Sequence, residues 1–523
     1  MNKNITFLIL FTIYMPLMAQ NEKGNYFAKK TYDNKAIPTF AESKKLLPEP
    51  ILEGHPGWVD MYWKTWEIAF SNFKKPPHGS PFVSNFIDEA FNELIFQWDT
   101  HFMIMFARYG HTIFPAIESH DNFYSRQHED GLIWRVIAEA DGSDHPWGGG
   151  EKFCRAINPP IFSWVEMKNY ELTGDKSRFE MILPVLEKYV EWLEKHRLSQ
   201  DTPHKLYWSN GQASGMDNTP RDKGRPGEHS SFSPVGWVDI SCQMVMNYND
   251  LSNICKILGH KKKAQQYRQK AKKLGKRINE WCWNEEDGIY YDVDTEGKQQ
   301  KVKTIASFWP MLAGITTPKK DKRLIQHLKN PKEFWRKNIF PSLAADEEGY
   351  SPRGHYWKGG TWAPTNYMVI KGLEKTNNEK FATECAEKYL YGLYNVYEET
   401  GTLWECYAPD AFAPSTIENN KKLARKDFVG WTGIGPVALL IENVLGIRIN
   451  GKAHKIDWII NRKSKHGIKN IHCGKATVSL LYELKNGKEI IAATTNYDIK
   501  LKIIKDKRSK EYTISKGKNI IEL

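Results

Sequence analysis

The segment Phe179–His196, FEMILPVLEKYVEWLEKH, sets Ile182, Leu183, Val185, Leu186, Tyr189 and Leu193 along one side of a helix and its charges along the other. Just upstream, Pro159 to Leu172 carries apolar residues at helical spacing and stops at Gly174, so the two stretches form a pair joined by a short turn. The pairing recurs. Val238–Leu258 precedes Lys262–Trp283, Gly359–Leu373 precedes Lys380–Val396, and Trp431–Leu445 closes the series at Gly446. Short returns on one side and long loops rich in Gly, Pro and Trp on the other describe a barrel of helical hairpins. No strand–helix–strand alternation is visible, which argues against a doubly wound or TIM-type sheet. The expected fold is mainly α, with the hairpin barrel over residues 57–449.

The flanks differ. Residues 450–523 hold alternating stretches such as Ala476–Tyr482 and Tyr497–Ile504, with Lys485-Asn486-Gly487-Lys488 as a turn, and are expected to form a small β-sandwich. Residues 21–56, rich in Lys, Pro and Asn, read as an arm or linker. Residues 1–20 read as a signal peptide: Lys3 supplies the positive start, Ile5 to Met18 is mostly apolar, and Met18-Ala19-Gln20 offers a cleavage site. No later segment approaches the ~20 apolar residues of a membrane span. A periplasmic or secreted protein is therefore expected.

Composition narrows the partners. Aromatic residues reach 13%, with 19 Trp, 24 Tyr and 24 Phe, which suits either a large core or faces that stack on sugar rings. The net charge of +12 comes from Lys spread over helices and thickened near the C-terminus, without the basic-aromatic motif of a nucleic-acid module. A solvated basic surface is expected, and an anionic glycan is also compatible. The seven Cys are odd in number and widely spaced with no CxxC pair, so neither a zinc site nor a disulfide framework is indicated. Buried thiols are expected for most of them, with one or two bridges left open. Nothing in the sequence sets an oligomeric state.

Four segments carry polar residues that helix packing does not explain. Asp99 sits between aromatics in Phe96-Gln97-Trp98-Asp99-Thr100-His101-Phe102, and a helix cap would account for it as well. Asp217 lies in the irregular loop Ser209–Arg221, where an Asx-turn is the plainer alternative. Tyr356–Tyr367 gathers Trp357, Lys358, Trp362 and Asn366 around a Gly pair, a plausible floor for a sugar. Glu405 is held between Trp404 and Tyr407 on a further loop, where a solvated acid is the alternative. Two carboxylates on separate loops are what glycosidic hydrolysis needs, one to protonate the leaving oxygen and one to activate water or attack carbon.

These segments, in this order, resemble the glycoside hydrolases of family 63 and their mannosylglycerate-hydrolase-like relatives, and more distantly the trehalases of family 37. The resemblance covers about Asn85 to Ile449. Gly215-Met216-Asp217-Asn218-Thr219-Pro220-Arg221 is its most specific piece, supported by Trp98-Asp99, Tyr356–Tyr367, Trp404–Tyr407 and Phe428–Gly433. It implies an (α/α)6 toroid and inversion at an α-linked sugar, with Asp217 as general acid and Glu405 as general base. It further implies that Trp98, Asp99, Asn218, Arg221, Trp357, Trp362 and Asn366 line the substrate pocket, with Lys358, Trp404 and Tyr407 beside them. Lys358 and Gly360 stand where many relatives carry Arg and Pro, so recognition on that side differs. The carbohydrate substrate needs no metal or organic cofactor for this chemistry. Two other readings stand beside it: a lyase or dehydratase on uronic glycans using His101, His145 or His355, and a silent sugar-binding relative. Asp141 to Glu151, with Asp144, His145, Trp147 and three consecutive Gly, is a candidate specificity loop for which a structural turn is the plainer alternative.

Overall fold

The computed structural model describes residues 26–89, 91–146, 153–222, 235–417, 421–506 and 508–523. The signal-peptide reading of residues 1–20, and the Trp147–Glu151 part of the turn, lie outside these.

The main helices are α1 (Pro56–Ser71), α2 (Gln97–Ala107), α3 (Phe162–Thr173), α4 (Ser177–Arg197), α5 (Val238–Ile257), α6 (Lys261–Trp281), α7 (Trp309–Ala313), α8 (Pro318–Leu328), α9 (Ala363–Lys375) and α10 (Glu379–Thr400). The closing helix, Gly435–Val444, winds as a π-helix. The apolar stripe of α4 is buried as its spacing requires, with Ile182, Leu186 and Leu193 inside. Packing runs in a circuit. Helix α2 packs on α3, α3 on α5, α5 on α7, and α7 on α9; α9 and α2 both meet the turn Thr432–Ile434 that leads into the closing helix. Helices α4 and α6 lie against α5, and α10 lies against α9, the closing helix and α1. The apolar stripe of one member of each pair is thereby satisfied by the next, leaving the loops before α2, α5 and α9 gathered at one end.

The C-terminal strands are β2 (Ile447–Asn450), β3 (Lys455–Ile459), β4 (His466–Cys473), β5 (Ala476–Lys485), β6 (Lys488–Thr495), β7 (Ile499–Lys505), β8 (Arg508–Ile514) and β9 (Gly517–Glu522). They form a four-stranded sheet, β2-β3-β7-β8, and most of a five-stranded one. Trp458 of the first sheet meets His466 of the second edge-on at 5.6 Å. The remaining strand, β1 (Glu49–Leu52), comes from the segment read as an arm: it pairs antiparallel with β4 at the edge of the five-stranded sheet, Glu49 opposite Lys469. Pro50 is tolerated because an edge strand leaves one row of backbone donors unused. The helices are joined to this sheet region at Gly174, which ends α3 at φ +68° and lies so close to Lys452 that a Cβ would meet its backbone N at 2.6 Å.

All seven cysteines are buried free thiols. Among the described residues no helix is long and apolar enough to cross a membrane.

Candidate active site

A cavity of about 440 Å³ opens at the end where the loops gather, a size suited to a small ligand. Three carboxyls line it, Asp99, Asp217 and Glu405, together with Arg135, Arg155 and Arg425. Its aromatic lining is Phe91, Phe96, Trp98, Tyr356 and Trp431.

The loop carrying Asp217 is built by its own backbone and anchored at its end. Ala213 N–H donates to the Asn210 side chain (2.9 Å), Met216 N–H to the Gly211 carbonyl (3.1 Å), and Thr219 N–H to the Met216 carbonyl (2.9 Å). Gly215 has φ +75°, and a Cβ there would meet the Trp98 indole nitrogen at 3.0 Å, so glycine alone lets the loop close on that ring. Arg221 is fully engaged at the loop's far end. It pairs with Asp292 at 2.7 Å and Asp239 at 2.5 Å and stacks on Trp237 at 4.0 Å. Asn218 ties this loop to the next. Its amide donates to the His355 carbonyl (3.1 Å) while its oxygen accepts from Trp357 N–H (2.8 Å). Asp217 is thereby held next to Tyr356.

Glu405 is fixed from three sides and is only 1% exposed. Its backbone N–H donates to the Arg425 carbonyl (2.9 Å), and its carbonyl accepts from the Trp431 indole (2.7 Å). Its carboxylate accepts from the Arg425 guanidinium (2.7 Å), from Arg425 N–H (3.3 Å), and from the Tyr356 hydroxyl (3.3 Å). Tyr356 reaches it from a left-handed conformation, φ +61°, following His355 at φ +43°. Two consecutive residues in this costly region form a turn that the Asn218 clamp holds.

The carboxyls differ in environment. Burial, then repulsion from Glu405, pushes Asp217 up to about 6 against the pull of Arg135. No hydrogen bond to its carboxylate is present among the described residues. Burial also raises Glu405, but the Arg425 guanidinium and N–H oppose that shift. Asp99 is raised well above the usual carboxylate range by burial and by the charge of Glu405. It lies in the first turn of α2 and does not cap it. Trp98 offers a buried indole N–H with no partner among the described residues, beside the same cavity.

Of the residues singled out in the sequence, Trp98, Asp99, Asp217 and Glu405 come together in the lining. Others stand behind it. Trp357 and Trp362 are fully buried and stacked on each other at 4.0 Å, forming a wall below Tyr356. Asn366 is consumed by the Phe340 and Trp362 backbones. Lys358 sits in a turn whose carbonyl accepts from Ser351 N–H (2.8 Å). The Trp404 indole donates to Thr400 (3.1 Å), and the buried Tyr407 hydroxyl accepts from Trp404 N–H (3.1 Å). Asn218 and Arg221 build the loop. His101, His145 and His355 are absent from the lining, and His101 is buried against His120 at 3.0 Å. Asp144 of the turn pairs with His128 at 2.8 Å.

Arg135, Arg155 and Arg425 escaped the sequence reading. Arg425 lies in KKLARKDF, which reads as surface charge, and long-range backbone pairing brings it to Glu405: Trp404 pairs with Lys426, Glu405 N–H donates to the Arg425 carbonyl and Phe428 N–H to the Leu403 carbonyl.

Residues 95–419 match the family model described as the mannosylglycerate hydrolase MGH1-like glycoside hydrolase domain. An uncharacterized protein of Borreliella burgdorferi is 28% identical over 387 residues, spanning 72% of this chain and 77% of its own. Among solved structures, the family 63 mannosylglycerate hydrolase of Thermus thermophilus in complex with glucose aligns with a TM-score of 0.55. It is 21% identical and covers 72% of this chain and 99% of that one. The neutral trehalase of Saccharomyces cerevisiae aligns with a TM-score of 0.54 at 12% identity, covering 68% of this chain and 73% of its own. Both likenesses concern the fold.

Proposed function

The chain belongs to the mannosylglycerate hydrolase MGH1-like family of glycoside hydrolases, and we propose that it is an exported, inverting member that releases an α-linked sugar within a six-hairpin (α/α)6 toroid bearing a C-terminal β-sandwich. The observation that carries the catalytic assignment is the contrast between two carboxyls of one cavity. Asp217 is pushed up to about 6 without a hydrogen-bond donor among the described residues, whereas Glu405 accepts a 2.7 Å charge-assisted bond from Arg425. A carboxyl poised near 6 keeps its proton in mildly acidic medium and can give it away, while one that accepts from a guanidinium has its charged form favoured by that partner and is placed to take a proton.

In this reading a water held by Glu405 attacks the anomeric carbon and loses its proton to that carboxylate. The bond from that carbon to the glycosidic oxygen breaks, and the oxygen takes the Asp217 proton. Charge developing on the sugar ring faces the carboxylates, and Tyr356 steadies Glu405 through its hydroxyl. Trp98 presents its indole N–H to a sugar hydroxyl, and the Asp99 carboxyl, raised by burial and by the charge of Glu405, faces the same cavity to hold another. The apolar start of the chain, Ile5 to Met18, supports export.

The test is time-resolved NMR of the anomeric protons on a panel of α-glycosides, mannosylglycerate included, with Asp217→Asn and Glu405→Gln alongside. Release of β-configured sugar first, abolished in both variants, supports the assignment. Initial release of the α-anomer, or full activity in either variant, sinks it.

A further inference from the structure

Helix α6 carries nine Lys and Arg against one Glu between Lys261 and Trp281. The structure sorts them. Its apolar side, Ala271, Leu274, Gly275 and Ile278, is buried, and the helix packs on α5. Lys263 and Lys270 pair with Glu187 at 2.8 Å and Glu194 at 2.6 Å on α4. Lys261, Lys262, Arg268, Lys272, Lys273 and Lys276 are exposed and make no ion pair among the described residues. Between Lys261 and Asn279 there is no acidic residue at all.

This arrangement works against the helix. Lys261, Lys262 and Lys263 occupy the first turn, where the helix dipole favours anions and no acidic residue is present. Arg268, Lys272 and Lys276 follow at steps of four, the spacing at which like charges repel. Neither the core nor the helix gains from them. A row of cations roughly 6 Å apart along one face presents the charge spacing that an external polyanion would neutralise.

We propose that the exposed face of α6 is a docking surface for an acidic polysaccharide. The row follows the outer wall toward the end where the cavity opens, because α5 starts at that end and α6 returns to it. An amphipathic helix that enters a lipid surface needs its apolar side free, and here that side is packed against α5. Single-stranded nucleic acid binds on exposed aromatic platforms; the two rings of α6, Tyr267 and Trp281, are half-buried, and Tyr267 is bonded to Glu187 at 2.9 Å. Choosing a glycan as the occupant rests on the glycosidase reading above, while the polyanion site itself rests on the charge pattern.

The experiment is the salt concentration at which the mature protein elutes from immobilised polygalacturonate, with neutral dextran, phosphatidylglycerol vesicles and single-stranded DNA as comparison probes. Two variants lose equal charge: one changes Lys261, Lys262, Lys272, Lys273 and Lys276 to Gln, and the other changes Lys463, Lys475, Lys485, Lys516 and Lys518 to Gln. Both are checked by thermal melting, and binding is also measured in an Asp217→Asn background so that the result stands apart from catalysis. The α6 variant is expected to lose about ten-fold or more in apparent affinity with a shallower salt dependence, and the second variant to keep its affinity. Equal loss in both overturns the site in favour of net charge. Tighter binding to vesicles or DNA than to polygalacturonate overturns the occupant, and no binding to any probe overturns the proposal.

Discussion

Arg425 holds Glu405 at 2.7 Å through one guanidinium nitrogen while the same group stacks 4.0 Å over the Phe91 ring. Phe91 is 37% exposed, so the cation that offsets the buried Glu405 charge is itself kept in place by a ring at the cavity rim.

Replacing Arg425 with Gln removes the largest force opposing the upward shift of Glu405. The acidic limb of the kcat/KM profile is then expected to move up by about one pH unit, with activity at the optimum down about ten-fold or more. An unchanged acidic limb would show that Arg425 does not set the ionisation of Glu405.

With Asp217 as the proposed general acid, the alkaline limb belongs to it. With its carboxyl pushed up to about 6, the protonated form needed for donation is lost above that pH, and kcat/KM should fall with a midpoint near there. For stability the sign follows from burial: its folded value exceeds the ordinary one, so its contribution is full below pH ~4 and lost as pH rises through about 6. Asp217→Asn should therefore melt about 2 °C or more above the wild type at pH 8 and near it at pH 4. Equal melting shifts at both pH values would count against a strained carboxylate.

Asn218→Ala deletes both hydrogen bonds that join the Asp217 loop to the Tyr356 turn. A loss of about ten- to hundred-fold in kcat is expected, together with about 1–3 kcal/mol of stability measured by urea unfolding. Retained kcat would mean that Asp217 is positioned without the clamp.

Arg221→Met strands two buried carboxylates, Asp239 and Asp292. Removing one partner of a buried ion cluster costs about 3–5 kcal/mol. Equilibrium unfolding should show a loss of that order; a loss below about 1 kcal/mol would mean the cluster contributes little.

Trp98→Phe keeps the ring and removes the indole N–H that has no partner among the described residues at the cavity. KM should rise about five- to ten-fold with melting nearly unchanged, a split that a purely structural tryptophan would not produce.

Helical periodicity was easy to read because each stripe repeats over many turns, and α4 buries the residues its spacing selects. Strand β1 was not readable, since four residues containing a proline hold no periodic signal and pair with a partner far along the chain. The same contrast runs through the site. Asp217 and Glu405 announced themselves by standing among aromatic and small residues. Trp357, Trp362 and Asn366 sit in an equally conspicuous stretch but point into the wall, because local composition does not encode which way a side chain faces in an irregular loop. Arg425 was hidden for the opposite reason. A charged residue among charged neighbours gains significance only when long-range pairing folds it inward.

Strand β1 also sets an order of events. Its Glu49 side chain reaches Lys469 at 2.7 Å across 420 residues of chain. At a synthesis rate of about 5–20 residues per second, this strand waits roughly 20–80 s before its partner exists. Its short length and Pro50 limit what else it can pair with meanwhile. The first strand to be made can be seated only after β4 exists, and its addition to the edge of that sheet ties the segment ahead of α1 to the C-terminal strands.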